Sequence, residues 1–416
     1  MEQTTPKAKL GSIFFTVFLD MLGIGLVIPV LAPLFLNPAV SPLPSSLAFG
    51  ERTLVLGLLI AAYPLAQFFG APILGALSDR WGRKPVLIFS LIGTLTGYLL
   101  FGIGIVYSSL SVLFLSRLLD GFTGGNISTA FSAIADVSDE HNKVKNFGLV
   151  GMAFGLGFII GPYVGGKLSD PSLISWFSYA TPFWFAAGLA SINIALVLWR
   201  FRETLRVKVM SELSLLTGFR NLQKAWAMQN LRTMFIVIFL LTFGFNFFTQ
   251  FFQVFLVEKF NFTQSGIGDL FAYIGLWIAF TQGVLTRPIG KRFKPHQVLK
   301  VSALCLGLSF PLLLLPTQAM WLFFILPLIS VFQGLTEPNS TAIVSNLAGA
   351  DSQGEILGIK QSIQSLAMAV PPIIAGSIIW LHLNLPTLIA GLSTLAAWII
   401  FVSFFEHKKT ELFHEV

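Results

Sequence analysis

The sequence predicts an all-α membrane protein of twelve transmembrane helices in two pseudo-symmetric six-helix bundles. Three observations carry that prediction. The 416 residues are 55% hydrophobic and only 11% charged, where a soluble domain carries about 25% charged residues. Apolar runs recur from end to end, many of them reaching the ~18–20 residues that cross a bilayer as a helix. The basic residues gather in the short breaks between these runs, where membrane topology explains the net charge of +7 better than nucleic acid does. The single cysteine, Cys305, lies in an apolar run, so no disulfide framework and no Cys-rich metal site is expected. The first apolar segment is too long for a cleavable signal and has no small-residue cleavage site after it.

Charged and Gly/Pro-rich breaks set the segments at 13–36, 53–78, 84–106, 109–135, 144–168, 180–201, 231–257, 265–288, 296–316, 319–345, 355–380 and 384–405. The long polar break at 202–230 is free of Pro and is expected to hold a cytoplasmic helix. It divides the chain into bundles at 1–201 and 231–416 joined by a linker at 202–230. Placing both termini and the loops after segments 2, 4, 6, 8 and 10 on one side gathers 22 of the 26 Lys and Arg there, with Lys360 counted among the loops. Arg52, Lys167 and Lys259 fall opposite, and Arg117 lies inside a segment. By the positive-inside rule both termini are cytoplasmic.

The halves repeat one another. Gly75-Ala-Leu-Ser-Asp79-Arg80-Trp-Gly82-Arg83-Lys84 aligns with Gly283-Val-Leu-Thr-Arg287-Pro-Ile-Gly290-Lys291-Arg292, and Gly148, Pro162 and Gly166 align with Gly358, Pro372 and Gly376. Gly121, Thr123 and Asn126 echo Gly334, Thr336 and Asn339. Shared spacing of Gly, Pro and basic residues goes beyond shared composition. Such repeats mark transporters whose halves rock around a site near the bilayer midplane.

Ionisable groups at membrane depth are functional candidates, because burying one costs at least ~2.5–3.5 kcal/mol. Asp20 lies mid-segment, and it reads either as a proton carrier or as the ion-pair partner of Arg117. Arg117 stays charged; it either holds an anionic group or tunes Asp20, or else simply pairs with Asp120 one turn on. Glu337, beside Pro338 in segment 10, reads as a substrate or second proton site, or as a pair to a neighbouring helix. Polar residues recur at helical spacing on segment 7 (Thr242, Asn246, Gln250, Gln253), segment 10 (Gln333, Glu337, Thr341) and segment 11 (Gln361, Gln364, Ser365). They outline a wet cavity or, on the plainer reading, hold helices together. Tyr63, Gln67, Tyr273 and Trp277 complete the candidate cavity wall. In segment 5, Gly157, Gly161-Pro162 and Gly165 allow close helix approach and a bend.

The loop Gly75-x-Leu-x-Asp79-Arg80-x-Gly82-Arg83, Arg117 with Gly121, and the Gly155-to-Gly166 run together resemble the major facilitator superfamily. The further matches are Asp20-Met-Leu-Gly23-Ile-Gly25-Leu-Val-Ile-Pro29, Ile134-Ala-Asp136, Phe147-Gly148 and Arg202-Glu203-Thr204. They resemble its twelve-helix drug:proton antiporters, and the tetracycline antiporter group within them, most specifically in the N-terminal half. The resemblance implies the major facilitator fold, export of a small apolar or amphipathic molecule in exchange for protons, and a bacterial inner-membrane location. It also implies that Gly75, Asp79, Arg80, Gly82, Arg83 and Asp136, with Gly161 and Pro162, gate the two halves. Two departures stand out: Gly97 where the tetracycline group carries an acid, and Trp277-Ile-Ala-Phe280 where it carries a His. No His-Glu-x-x-His, Gly-x-Ser-x-Gly or P-loop occurs, so no enzyme, no ATP motor and no cofactor or metal is expected. The expected partners are a small molecule, protons and the lipid bilayer, with no nucleic acid, on a monomer. The alternatives are a proton-coupled importer of a metabolite or chelate, a non-transporting receptor and an intramembrane enzyme.

Overall fold

In a computed structural model, residues 6–137, 143–205, 214, 216–347 and 353–406 are described, and no strand occurs among them. The helices are α1 (Pro6–Leu36), α2 (Phe49–Trp81), α3 (Arg83–Val106), α4 (Leu110–Thr123), α5 (Ile127–Val137), α6 (Lys143–Leu168), α7 (Thr181–Arg200), α8 (Thr217–Ala227), α9 (Gln229–Phe260), α10 (Gln264–Phe280), α11 (Thr286–Arg292), α12 (Pro295–Leu312), α13 (Leu322–Leu347), α14 (Gln353–Ile378) and α15 (Leu385–Ile400). Each predicted apolar segment falls on one helix or on consecutive helical pieces. Eight helical stretches are long and apolar enough to cross a membrane by length and composition. Between the halves, α8 supplies the helix expected there.

Segment 4 is not one helix. It runs α4, a 3-10 turn at Gly124–Asn126, then α5. A Cβ at Gly125 would lie 2.5 Å from the Ala71 nitrogen, and one at Gly124 would strike the Tyr63 hydroxyl. Two glycines thus let α2 approach the turn, and the tighter winding re-aims Asn126. Segment 8 is interrupted likewise, by a π-helical stretch at Thr281–Leu285 between α10 and α11.

The chain forms two compact units. The first holds the described residues up to 48, 62–217 and 262–273; the second holds 49–61, 218–261 and 274 onward. Inside the first, the start of α10 packs on the end of α6: a Cβ on Gly166 would meet the Cα of Gly268 at 3.1 Å, and one on Gly268 the Pro162 carbonyl oxygen at 2.5 Å. Inside the second, the start of α2 packs on α14. There a Cβ on Gly376 would meet the Cα of Gly57 at 3.2 Å, one on Gly57 would strike the Pro372 carbonyl, and Thr53 Oγ1 donates to the Gly376 carbonyl at 3.0 Å. The aligned pairs Pro162/Gly166 and Pro372/Gly376 therefore do the same packing work, each against a glycine of another helix.

The glycines of α6 seat α1. A Cβ on Gly157 would lie 2.5 Å from that of Met21, and one on Gly161 would lie 2.6 Å from the Leu22 carbonyl oxygen. A Cβ on Gly25 would lie 2.8 Å from Pro162 Cδ. Apolar side chains finish the contact, with Ile13, Val17, Met21, Leu91 and Ala153 in one buried cluster. Gly161→Leu is expected to lower the thermal unfolding midpoint in detergent, at a cost of about 1–3 kcal/mol for overpacking. Its atoms would meet backbone, which cannot rotate away; an unchanged midpoint would show that α1 and α6 part easily.

Candidate functional site

In the first unit α1 carries Asp20 to the 3-10 turn of segment 4. Asn126 Nδ2 donates to Asp20 Oδ2 at 2.9 Å. Of the two partners weighed for Arg117, the structure gives Asp120, at Nη1–Oδ2 3.5 Å. Both are buried. The Arg117 guanidinium lies over the Tyr63 ring, 4.6 Å from its centroid, a cation–π contact that strengthens away from water. Its Nε is buried without a hydrogen-bond partner. Gln67 Nε2 donates to the Gly124 carbonyl at 3.1 Å and fixes the same turn. Tyr63 thus belongs to the surroundings of Arg117, and Gln67 to the 3-10 turn.

Gly97 is the position where an acid was missing. A Cβ there would lie 2.7 Å from the Asp120 Cβ. Asp120 leans from α4 into the space a side chain on α3 would take, and Thr94 of α3 hydrogen-bonds its carboxylate. The carboxyl at this place is thus that of Asp120, on the neighbouring helix α4.

At the junction of α2 and α3, Gly82 has φ +114°, a left-handed conformation that suits glycine. A Cβ there would also strike the Glu203 carboxylate. Gly75 is different: its nearest neighbour would be Ser128 Oγ at 3.5 Å, so close approach does not require glycine there. Arg83 donates from Nε to Asp136 Oδ2 at 3.0 Å, and from Nη1 to Asp79 Oδ1 and Ser78 Oγ, both at 2.6 Å. These bonds of Arg83 stay within the first unit. Arg80 is half-buried beside them.

Glu203 is the residue this cluster adds to the sequence-based set. Its Oε1 accepts from the backbone N–H groups of Arg83, Thr204 and Leu205, each at 2.9 Å, and its Oε2 from Lys84 N at 3.0 Å. It is a carboxylate on the N-terminus of α3, where the helix dipole favours negative charge. Burial alone would raise its pKa, but the four N–H donors outweigh burial and hold it below the ordinary 4.5. Because the folded value is depressed, this anchor is fully present above pH 4.5 and is lost as pH falls through the lower folded value. Glu203→Gln is expected to cost about 1 kcal/mol at pH 7, as for a lost helix cap, and to flatten that acid limb. Unfolding midpoints measured from pH 7 down to 3 check both.

In the second unit Glu337 of α13 meets α14. Lys360 Nζ donates to Glu337 Oε1 at 3.0 Å and to Thr341 Oγ1 at 2.5 Å, and Gln364 Nε2 donates to Glu337 Oε1 at 3.1 Å. The Lys360 side chain is 9% exposed and that of Glu337 38%. Lys360, counted from sequence as a loop cation, is a buried member of this pair. The signal was a cation already inside an apolar segment, overlooked because a lysine near a helix end can snorkel to the interface.

Two amides of the segment 7 stripe donate within their own helix. Asn246 Nδ2 donates to the Thr242 carbonyl at 2.8 Å, and Gln253 Nε2 to the Gln250 carbonyl at 3.1 Å. Gln333, Gln361, Tyr273 and Trp277 are half-buried, with the Trp277 ring edge-on to Phe280 at 5.8 Å. Among the described residues no cluster of His, Cys, Asp or Glu could hold a metal ion. A cavity of about 10 Å³ inside the first unit is lined by Leu19, Asp20, Thr94, Tyr98 and Asn193, among others.

The family profile described as Major Facilitator Superfamily matches residues 13–372. The chain belongs to that superfamily. It is 31% identical over 367 residues to the class C tetracycline resistance protein of Escherichia coli, covering 87% of each chain. It is 28% identical over 403 residues to the quinolone resistance protein NorA of Staphylococcus aureus, covering 95% of this chain and 96% of that one. Among solved structures, the human organic anion transporter MFSD10 superposes with TM-score 0.75 at 25% identity, over 96% of this chain and all of the other. A D-xylose–proton symporter gives TM-score 0.77 at 15% identity over 95% and 98%, a likeness of fold alone. As a member of the Major Facilitator Superfamily, this all-α chain is a multi-pass membrane transporter and not an enzyme.

Proposed function

We propose that the chain exports a small, mostly apolar or amphipathic molecule in exchange for protons, by alternating access. One observation carries this reading: the mid-segment carboxyl of Asp20 has a neutral amide as its hydrogen-bond partner, while Arg117 turns to Asp120. A carboxyl so held can lose or gain a proton without stranding a buried cation. Dry surroundings favour its neutral form and wet surroundings its ionised form, so its proton follows the side to which the site opens. The resistance proteins among the relatives point to drugs and to the outward direction.

In this reading Asp20, Arg117, Asp120 and Glu337 couple protons. Tyr63, Gln67, Asn246, Gln250, Gln253, Tyr273, Trp277, Gln333, Gln361 and Gln364 face the solute. Gly75, Asp79, Arg80, Gly82, Arg83, Asp136, Gly161 and Pro162 gate the passage. The bundles at 1–201 and 231–416 rock about the linker at 202–230, as a monomer in a bacterial inner membrane with both termini cytoplasmic. The test is reconstitution in vesicles carrying a pH gradient, with tetracycline, a fluoroquinolone and neutral amphipathic dyes as solutes. Solute-driven proton release supports exchange. Movement of both species in one direction would replace export by import, and binding without flux would make the protein a receptor.

A further inference from the structure

The small cavity of the first unit carries an inference that rests on the reading of Asp20 as proton carrier. It lies between α1, α3 and α7, and its apolar lining is Leu19, Leu22, Leu91, Ala186, Leu189 and Ala190. Four polar groups share its wall: Asp20, Thr94, Tyr98 and Asn193. The Tyr98 hydroxyl sits directly against Gly23, which only a residue without a Cβ allows. Asn193 is 1% exposed. Its Oδ1 accepts from Thr16 Oγ1 at 3.1 Å, and its Nδ2 is buried with no hydrogen-bond partner. An unused amide donor in an apolar surround costs about 1–3 kcal/mol. On the Asp20 side, Oδ2 takes the Asn126 amide.

A space of about 10 Å³ is roughly what one water molecule needs, and such a water needs two to four polar partners. We propose that the cavity is a one-water site joining the Asn193 amide to the Asp20 carboxyl, and that Asn193 is a positioning residue for proton loading. The water oxygen accepts from Asn193 Nδ2. When Asp20 is ionised, the water donates one hydrogen to its carboxylate and the other to the Thr94 or Tyr98 oxygen. When Asp20 is protonated, the carboxyl O–H donates to the water instead, and the water turns its hydrogens to Thr94 and Tyr98. The two states differ by one proton, which Asp20 gains from or gives up to the side to which the site opens, while the water stays neutral. The amide, by filling the same lone pair in both states, orients the water and favours the ionised carboxyl.

Other ionisable groups are accounted for around Asp20. Tyr63 on α2, Tyr98 on α3, and Arg117 and Asp120 on α4 act on it or on each other. On the helices packed against α1, Asp136 of α5 is bound to Arg83, and Lys167 of α6 to Asp269. Tyr163 and the first-turn lysines Lys143 and Lys145 also lie on α6, and Arg200 ends α7.

The test reads Asp20 itself, in the full-length protein, by the infrared carboxyl C=O band that D20N removes, titrated without any solute. In N193L the amide is lost at similar volume, and in A190V the cavity is filled while the amide stays. Both are expected to raise the midpoint of the band by about one pH unit, and to abolish a water O–H band that shifts in H₂¹⁸O. The pH profile of gradient-driven flux should move with the midpoint. An unchanged midpoint in folded N193L and A190V overturns the water site, and if N193L does not fold, A190V decides alone. A midpoint that moves in protein without proton-coupled flux would sink the transport reading and leave the water site standing.

Discussion

Asp20→Asn is expected to reduce gradient-driven transport to background while leaving the protein folded and able to bind solute. The two side chains have nearly the same shape, so the contacts of α1 with α6 are kept. The substitution also offers something the wild type lacks: Asn126 Oδ1 is buried without a partner, and an amide at position 20 can donate to it. The unfolding midpoint is therefore expected to be equal to wild type or higher. Solute affinity, measured by a thermal-shift titration, should stay within about threefold, or some 0.6 kcal/mol. What is removed is the capacity to carry a proton, since an amide does not titrate. Downhill solute exchange should survive, and uphill accumulation against a pH gradient should not. If accumulation persists in D20N, the proton site lies elsewhere, and Asp120 at the Gly97 gap is the next residue to change.

The second large effect belongs to the α13–α14 pair. Glu337→Gln strands the Lys360 ammonium, 9% exposed, with Thr341 and a neutral amide. Removing one partner of a buried ion pair costs about 3–5 kcal/mol. Lys360→Met should cost less, because the carboxylate it leaves is 38% exposed and keeps its hydrogen bond from Gln364. The double variant should recover most of the loss, with a coupling energy of about 2–3 kcal/mol. Unfolding of the four proteins in one detergent measures the cycle. Additive losses would mean that the two charges do not depend on each other. Flux in the double variant separates roles: retained coupling makes the pair structural, and lost coupling places it in the transport path.

Much of this protein follows from the one-dimensional pattern, because a bilayer constrains sequence severely. Lipid forces apolar runs of fixed length, so the helical segments could be placed from composition alone. An ionisable group inside such a run costs enough to stand out, and Asp20, Arg117 and Glu337 do. Close helix packing needs small residues at every fourth position, so Gly157, Gly161 and Gly165 announced a close helix contact, though not that α1 makes it. The grouping of Asp79, Arg83 and Asp136 followed from the family resemblance of their motifs.

Partnership was not legible. Asp20 and Asn126 are 106 residues apart, and a neutral amide carries no signature among apolar neighbours. Helical spacing says which residues share a face, but not which face of which helix stands opposite. The approach of Asp120 to the Gly97 gap, the burial of Lys360, and the unused amide of Asn193 were therefore set by packing. So was the allotment of the first turns of α2 and of α10 to units other than those of their sequence neighbours. Membrane insertion acts on each segment alone and is written in its residues. The pairing of buried polar groups depends on distances between helices, and those exist only once the chain has folded.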